Sequence, residues 1–436
     1  MTIDFLAARA ALAAHSPHAL RAVLAPLGAD HPEQLDHWVN LLAHWPPNGP
    51  DQLVLEPAWR ACLDRLARQA RGDGPAVMPT QIPAEWNFLA DIGGAQSWDF
   101  DQWGTRLALD TVHATRRAAI VGTMRNDGIY LLEWLAHYRV LGFEHFFIYT
   151  NDNCDGSDAL LACLADHQVL TVFENVIDAR VPPEVKAFGH ALSLLPALRD
   201  YEWAAFVDSD EFLVLAPDHH HQIGQFIAAL EARYPNKSAG GVLFDWLWYV
   251  SDSVFERQPG LLCERFQHAR PHWLAKCLVR VRDVLSMRRQ HYPELLPGRL
   301  TLDSGLNPVD LARIDDRRVA EYAGGTLNHY WPKSFQEFAI KKARGASLGA
   351  KQAVYDRPYG KFFEWNGRAR PENHRPMPAE LIAQVHAEIA RLRALPGVAE
   401  LADRINVAFP VLLERLCPPA TLRQHYWNNR RPEGPL

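Results

Sequence analysis

Trp203-Ala204-Ala205-Phe206-Val207-Asp208-Ser209-Asp210-Glu211-Phe212-Leu213-Val214-Leu215 is the stretch that decides the fold. Two apolar runs enclose a cluster of Asp208, Asp210 and Glu211. A short run without polar interruption is the pattern of a strand covered on both faces, as in a parallel sheet. An acidic surface turn seldom lies between two such runs, so the cluster reads as the end of an inner strand. In an extended chain, residues two apart point to the same side. Asp208 and Asp210 are therefore expected to face one point, with Ser209 turned away.

Upstream of this stretch, strand and helix patterns alternate. Ala118-Ala119-Ile120-Val121-Gly122 reads as a buried strand, and Leu131, Trp134, Leu135 and Tyr138 then fall at i, i+3, i+4, i+7. Phe146 to Thr150 gives a second strand, and Leu160, Cys163 and Leu164 a second helix stripe. Val169 to Phe173 gives a third strand, and Ala191, Leu194, Leu195 and Leu198 a third helix. This alternation predicts an α/β fold with a central, mostly parallel sheet and right-handed crossovers. Ligands bind such sheets at the carboxyl ends of the strands. Polar clusters sit at three of those ends: Arg125-Asn126-Asp127, Asn151 to Asp158, and Asp208-Ser209-Asp210-Glu211.

The flanks differ. Leu20, Val23 and Leu24, then Leu35, Trp38, Leu41 and Leu42, have helix spacing, and Arg71-Gly72-Asp73-Gly74-Pro75 is a breaker. Residues 76–113 lack a steady period and read as a connecting segment. Helix patterns return with Leu381, Ile382, Val385, Ile389 and Leu392. The expected organisation is a helical accessory region over 1–113, an α/β domain over 114–350 and a helical region over 351–436.

The chain has 436 residues, 48% apolar and 22% charged, with a net charge of −6. That balance gives no general basic field for nucleic acid or an anionic membrane. Six scattered cysteines form no C-x-x-C pair, which argues against a zinc ribbon or a disulfide framework. Met1 to Leu6 lack the basic start of a signal peptide, and no apolar stretch reaches membrane-span length. A soluble, cytoplasmic protein is expected, with peripheral docking on a membrane left open.

Two hard carboxylates at a strand tip suit Mg²⁺ or Mn²⁺, which keep several waters and bridge substrate phosphates. Such a cation neutralises charge on a departing diphosphate.

Arg125-Asn126-Asp127, Glu133-Trp134-Leu135, Leu141-Gly142-Phe143 and Ile148-Tyr149-Thr150-Asn151 together resemble bacterial family-2-type glycosyltransferases, in the branch related to glycosyltransferase family 92. Val207-Asp208-Ser209-Asp210-Glu211-Phe212 matches that group's D-x-D-E-F. Cys263-Glu264-Arg265-Phe266 resembles its E-R-F segment, Lys276 its following lysine, and Asn328-His329-Tyr330 with Lys333-Ser334 its H-Y-x-x-K-S segment. The resemblance covers roughly residues 116–345. It implies a GT-A fold and transfer of a sugar from a UDP- or GDP-linked donor to a hydroxyl of a glycan, lipid-linked glycan or protein, with inversion. It also implies that Asp210 is the principal metal ligand and that Asp208 contacts metal or ribose. His329 would complete the metal shell or touch the diphosphate. Asn151 and Asp152 would hold the base, with Arg125 and Asp127 close to the nucleotide. Asp127 stands where the group has Glu, and Asn151 where family-2 enzymes have Asp, which shifts base recognition toward Asp152 or backbone groups. Surface-polysaccharide assembly is the setting that analogy offers.

Further candidates follow from chemistry. Lys276, Arg280 and Lys333 could screen diphosphate oxygens. Glu264 and Asp245 are candidates for the base that deprotonates the acceptor hydroxyl. Trp246, Trp248 and Tyr249 could stack on a sugar ring or simply fill the core. His219-His220-His221 reads as an exposed loop rather than a metal tract. Gly345-Ala346-Ser347-Leu348-Gly349 matches G-x-S-x-G, but a helix over Phe335 to Arg344 precedes it where a nucleophile elbow needs a strand. No P-loop and no G-x-G-x-x-G after the first strand are present. Two other readings share the acidic strand tip: a metal-dependent nucleotidyltransferase or phosphoesterase, and a non-catalytic carbohydrate-binding protein.

Overall fold

The computed structural model describes residues 3–29, 32–43, 81–90, 98, 100–177, 181–313, 319–343 and 359–430. The strands in chain order are β1 (Gln81–Ile82), β2 (Arg116–Met124), β3 (His145–Thr150), β4 (Thr171–Asn175), β5 (Tyr201–Asp208), β6 (Glu211–Leu215), β7 (Ala239–Val250), β8 (His268–Arg280), β9 (Val284–Arg289), β10 (Tyr292–Leu295), β11 (Leu300–Leu302) and β12 (Gly325–His329). The large sheet runs β1-β4-β3-β2-β5-β8-β7-β12-β6, with β11 beside β7. From β1 to β5 every pairing is parallel; β8 then inserts antiparallel between β5 and β7. The α/β class and the mostly parallel centre are thus as the alternation predicts.

The helices are α1 (Phe5–Ala13), α2 (Pro17–Leu24), α3 (Pro32–Ala43), α4 (Phe100–Leu109), α5 (Gly128–Val140), α6 (Ser157–Asp166), α7 (Pro183–Leu194), α8 (Ile223–Arg233), α9 (Phe335–Ala343), α10 (Gly360–Trp365), α11 (Ala379–Arg393), α12 (Val398–Leu416) and α13 (Pro419–Asn429). Strand alternation sorts them into two layers. Ala119, Val121, Phe147, Tyr149, Ala204 and Phe206 face one core with the N-terminal helices and α7. Ala118, Ile120, Phe146, Ile148, Trp203 and Ala205 face another with α5, α6 and the C-terminal helices. Both faces of the inner strands are covered, which is why they read as unbroken apolar runs.

Four details depart from the sequence pattern. Residues 76–113 supply more than a connection: β1 pairs with β4, and α4 buries Trp103, Leu107 and Ala108. The third helix ends at Leu194, because Pro196 has no N–H to continue it, and a 3₁₀ turn spans Pro196–Asp200. β5 ends at Asp208, and Ser209-Asp210 is a tight turn rather than extended chain, so strand alternation does not align the two aspartates. β6 then pairs with β12, not with β5. The Gly345–Gly349 stretch and the breaker at 71–75 lie outside the described residues.

The turn is braced from behind. Trp134 of α5 is fully buried, and its indole N–H donates to the Asp208 carbonyl at 2.9 Å. Tyr138 donates to the Glu211 carbonyl at 3.0 Å, and Glu211 takes the Asp208 N–H at 2.8 Å. Replacing Trp134 with Phe strands the Asp208 carbonyl and is expected to cost about 1–3 kcal/mol of stability. Trp134→Ala, which also opens a cavity, is expected to cost about 3–5 kcal/mol. Urea unfolding measures both, and wild-type stability in Trp134→Phe would contradict the role given to the indole N–H.

Candidate active site

Three strand tips meet at the head of the sheet. Thr123 of β2 lies beside Asp208 of β5, and Met124 lies beside Thr150 of β3. The loops beyond them are locked together: Asn126 N–H donates to Asn153 Oδ1 (2.8 Å), Cys154 N–H to Asn126 Oδ1 (2.6 Å), and Gly128 N–H to Asp155 Oδ2 (2.9 Å). Asn126 and Asp152 have φ of 56° and 46°, a left-handed region that Asn and Asp tolerate.

A cleft of about 990 Å³, open mouth included, lies over these tips. Of the residues expected from sequence, Arg125, Asp127, Asn151, Asp208, Asp210, Lys276 and His329 line it. Lys333 stands behind it, in an adjoining cavity that shares Asp127 and Lys341. Asp152 is at the rim: it accepts from Asn151 Nδ2 at 2.8 Å and lies 3.9 Å from Arg125 Nη2.

The register explains which cations arrive. Phe206 of β5 faces Cys277 of β8, which brings Lys276 beside the Asp208 end. Lys276 Nζ is 3.1 Å from Asp208 Oδ2. Asp210 is buried, with Lys333 Nζ 3.0 Å from its Oδ2, Lys341 on the same oxygen, and His329 Nε2 3.4 Å from its Oδ1. Burial opposes the Asp210 charge, but Lys333, Lys341 and His329 outweigh it and hold the carboxyl well below its ordinary value. Burial lowers the His329 pKa against the pull of Asp210. Burial pushes Glu211 well above its ordinary range, against the pull of Lys276.

Each aspartate therefore spends one oxygen on lysine. Among the described residues, the other oxygen of Asp208, Oδ1, is buried with no hydrogen-bond partner, and so are His329 Nδ1 and Trp246 Nε1. No group of three or more His, Cys, Asp or Glu side chains forms a ready metal cage among the described residues. The orphaned Oδ1 of Asp208 is a single hard donor, which fits a cation that keeps most of its shell as water and phosphate oxygens.

Other sequence candidates are not brought to the cleft. Glu264 is partly exposed at a single helical turn, Leu262–Arg265, where it accepts from Leu261 N–H at 3.1 Å and contacts His386 Nε2 at 2.8 Å. Asp245 is fully buried and accepts the Glu321 N–H at 2.7 Å. Arg280 faces Trp203, well back from the tip of β5, and stacks on that ring at 4.6 Å. Trp246 lines the cleft, whereas Trp248 and Tyr249 are tied to the C-terminal region through the carbonyls of Trp365 (3.0 Å) and Arg375 (2.5 Å). His219–His221 form a surface turn, with His221 Nδ1 2.6 Å from the Leu215 carbonyl oxygen. Glu184, Gln290, His291, Trp331 and Lys341 line the cleft without having been expected from sequence. Glu184 opens α7 just after Pro182-Pro183, the one local cue among them.

A mostly parallel α/β sheet with an acidic cleft at its strand tips is the GT-A architecture of glycosyltransferases. The sequence profile described as glycosyltransferase family 92 matches residues 125–385, more than half of the chain. The chain belongs to glycosyltransferase family 92. A family 92 protein of Ricinus communis is 36% identical over 94 residues, 21% of this chain and 16% of that protein. One of Oryza sativa subsp. japonica is 31% identical over 91 residues, 21% of this chain and 15% of that protein. The aligned stretch is thus a small part of either relative. Among solved structures, S. aureus TarS 1-349 is 12% identical with a TM-score of 0.26, and its complex with UDP 11% identical with a TM-score of 0.27. Each covers 72% of this chain and 88% of the other. Those scores are too low to bear on this chain. Among the described residues, no helix is long and apolar enough to cross a membrane.

The charge cluster makes a stability prediction. Because the Asp210 carboxyl is held below its ordinary value, its contribution is present above that value and is lost as pH falls through the depressed one. Asp210→Asn leaves buried lysines facing a neutral amide and is expected to cost about 3–5 kcal/mol at pH 7. The gap to wild type should narrow below about pH 4. Urea unfolding across pH measures this, and a gap that stays constant would contradict it.

Proposed function

We propose that the chain moves a sugar from a UDP- or GDP-linked donor to a hydroxyl of a glycan-type acceptor, with inversion, and that Mg²⁺ or Mn²⁺ joins Asp208 and Asp210 to the donor. What carries this reading is the division of labour at the two aspartates: Oδ2 of each meets lysine, while Oδ1 of Asp208 has no partner among the described residues and Oδ1 of Asp210 faces His329. When bound, the cation would neutralise charge on the leaving diphosphate. Arg125 and Asn151, on the tips of β2 and β3, orient the nucleoside. Lys276 and Lys333 pair with Oδ2 of Asp208 and of Asp210 and hold the two carboxylates in place. The acceptor proton goes to a cleft carboxylate outside the aspartate pair, Asp127 or Glu184, because Glu264 and Asp245 face elsewhere.

The test is turnover of a panel of nucleotide sugars with Mn²⁺ and simple glycan acceptors. Release of free nucleoside diphosphate is expected, falling on the order of 10²-fold or more in Asp210→Ala. Pyrophosphate as the product would favour nucleotidyl transfer. Binding without turnover across the panel would favour a non-catalytic carbohydrate-binding protein.

A further inference from the structure

Two lysines meet one oxygen of Asp210, and they are not equivalent. Lys333 follows β12 closely, is 4% exposed, sits over the Tyr130 ring at 4.8 Å, and has a left-handed backbone (φ 53°). Its place is set by the chain around it. Lys341 comes from the last turn of α9, and its ammonium lies over the Trp331 ring at 5.3 Å. It lines both the cleft and the adjoining cavity, so its ammonium stands at the boundary between them. One ammonium suffices to balance the carboxylate. A divalent cation at Asp210 would repel the second.

We infer that Lys341 is a phosphate-binding lysine: it leaves Asp210 when the donor and its cation enter, and its ammonium then binds the diphosphate across the cleft. This rests on the nucleotide-sugar reading above. Lys341 needs only side-chain rotation about an anchored helix, since α9 is pinned by Glu337. The Glu337 carboxylate meets Arg265 Nη1 and Nη2 at 3.0 and 2.8 Å and takes the Ser334 hydroxyl at 2.6 Å. An ammonium on a diphosphate oxygen is a charge-assisted contact, stronger than a neutral hydrogen bond. Lys342, the next residue, points elsewhere, over the Tyr359 ring at 5.1 Å. It is an internal control.

The experiment is calorimetric binding of UDP, GDP, uridine and guanosine to the full chain, with Mn²⁺ and with EDTA. Lys341→Gln is expected to weaken the diphosphate that wild type binds by about tenfold or more in Mn²⁺ and to leave the matching nucleoside within about twofold. Lys341→Arg, which keeps the charge, should retain most of the affinity, and Lys342→Gln should match wild type. Because Lys333 still balances Asp210, Lys341→Gln should unfold near the wild-type temperature. Equal loss for nucleoside and diphosphate, or no loss for either, would overturn the role of Lys341. If wild type binds none of the four compounds, the nucleotide-sugar reading itself fails.

Discussion

The structure depends on pairing two carboxylates with lysines at the tip of an inner strand. Asp208 and Asp210 sit where β5 turns into β6, between apolar runs that have no use for charge. Burying a carboxylate without a partner is costly. Lys276 of β8 pairs with Asp208, and Lys333, after β12, and Lys341 of α9 pair with the buried Asp210. The same pairing leaves Oδ1 of Asp208 without a partner among the described residues, while Oδ1 of Asp210 faces His329. A site balanced by lysine on one side and with a bare carboxylate oxygen on the other is prepared for a ligand that brings its own counter-charge, as a cation bound to a diphosphate does.

The rest of the molecule serves that tip. Covering both faces of the sheet fixes the level of β2, β3 and β5, so that Met124, Thr150 and Asp208 end near one another. Trp134 and Tyr138 reach from α5 to the carbonyls of Asp208 and Glu211, which fixes the turn. Glu211, the acidic residue after the pair, works on the backbone, holding the Asp208 N–H rather than reaching into the cleft. The C-terminal helices pack against α5 and α6, and the cavity beside the cleft is closed by Ile405, Phe409 and Leu412 of α12.

Much of this was legible in the sequence, for a physical reason. Strands covered on both faces must be apolar throughout, and a polar cluster directly after one has few places to be other than a strand tip. That logic places Arg125, Asp127, Asn151, Asp208 and Asp210 at strand tips from local pattern, and the cleft there is lined by all five. It could not locate Lys341 or Glu184, because their approach depends on helix placement over long sequence separations. Nor does local pattern show that Glu264 and Asp245 lie off the cleft. Spacing after the acidic cluster said nothing of direction, and direction is set by His386, Leu261 and Glu321, which hold those carboxylates elsewhere. Arg280 shows the same limit within a single strand: four residues beyond Lys276 on β8, it is carried away from the tip to the ring of Trp203.

The most direct measurement is a crystal structure of the chain with Mn²⁺ and a nucleoside diphosphate, read by anomalous scattering at the manganese edge. The account predicts one manganese site touching both Asp208 and Asp210, with the diphosphate completing its shell. A manganese peak away from both aspartates, or a bound diphosphate that leaves the lysine pairs on Asp210 as they are and no metal beside them, would contradict it.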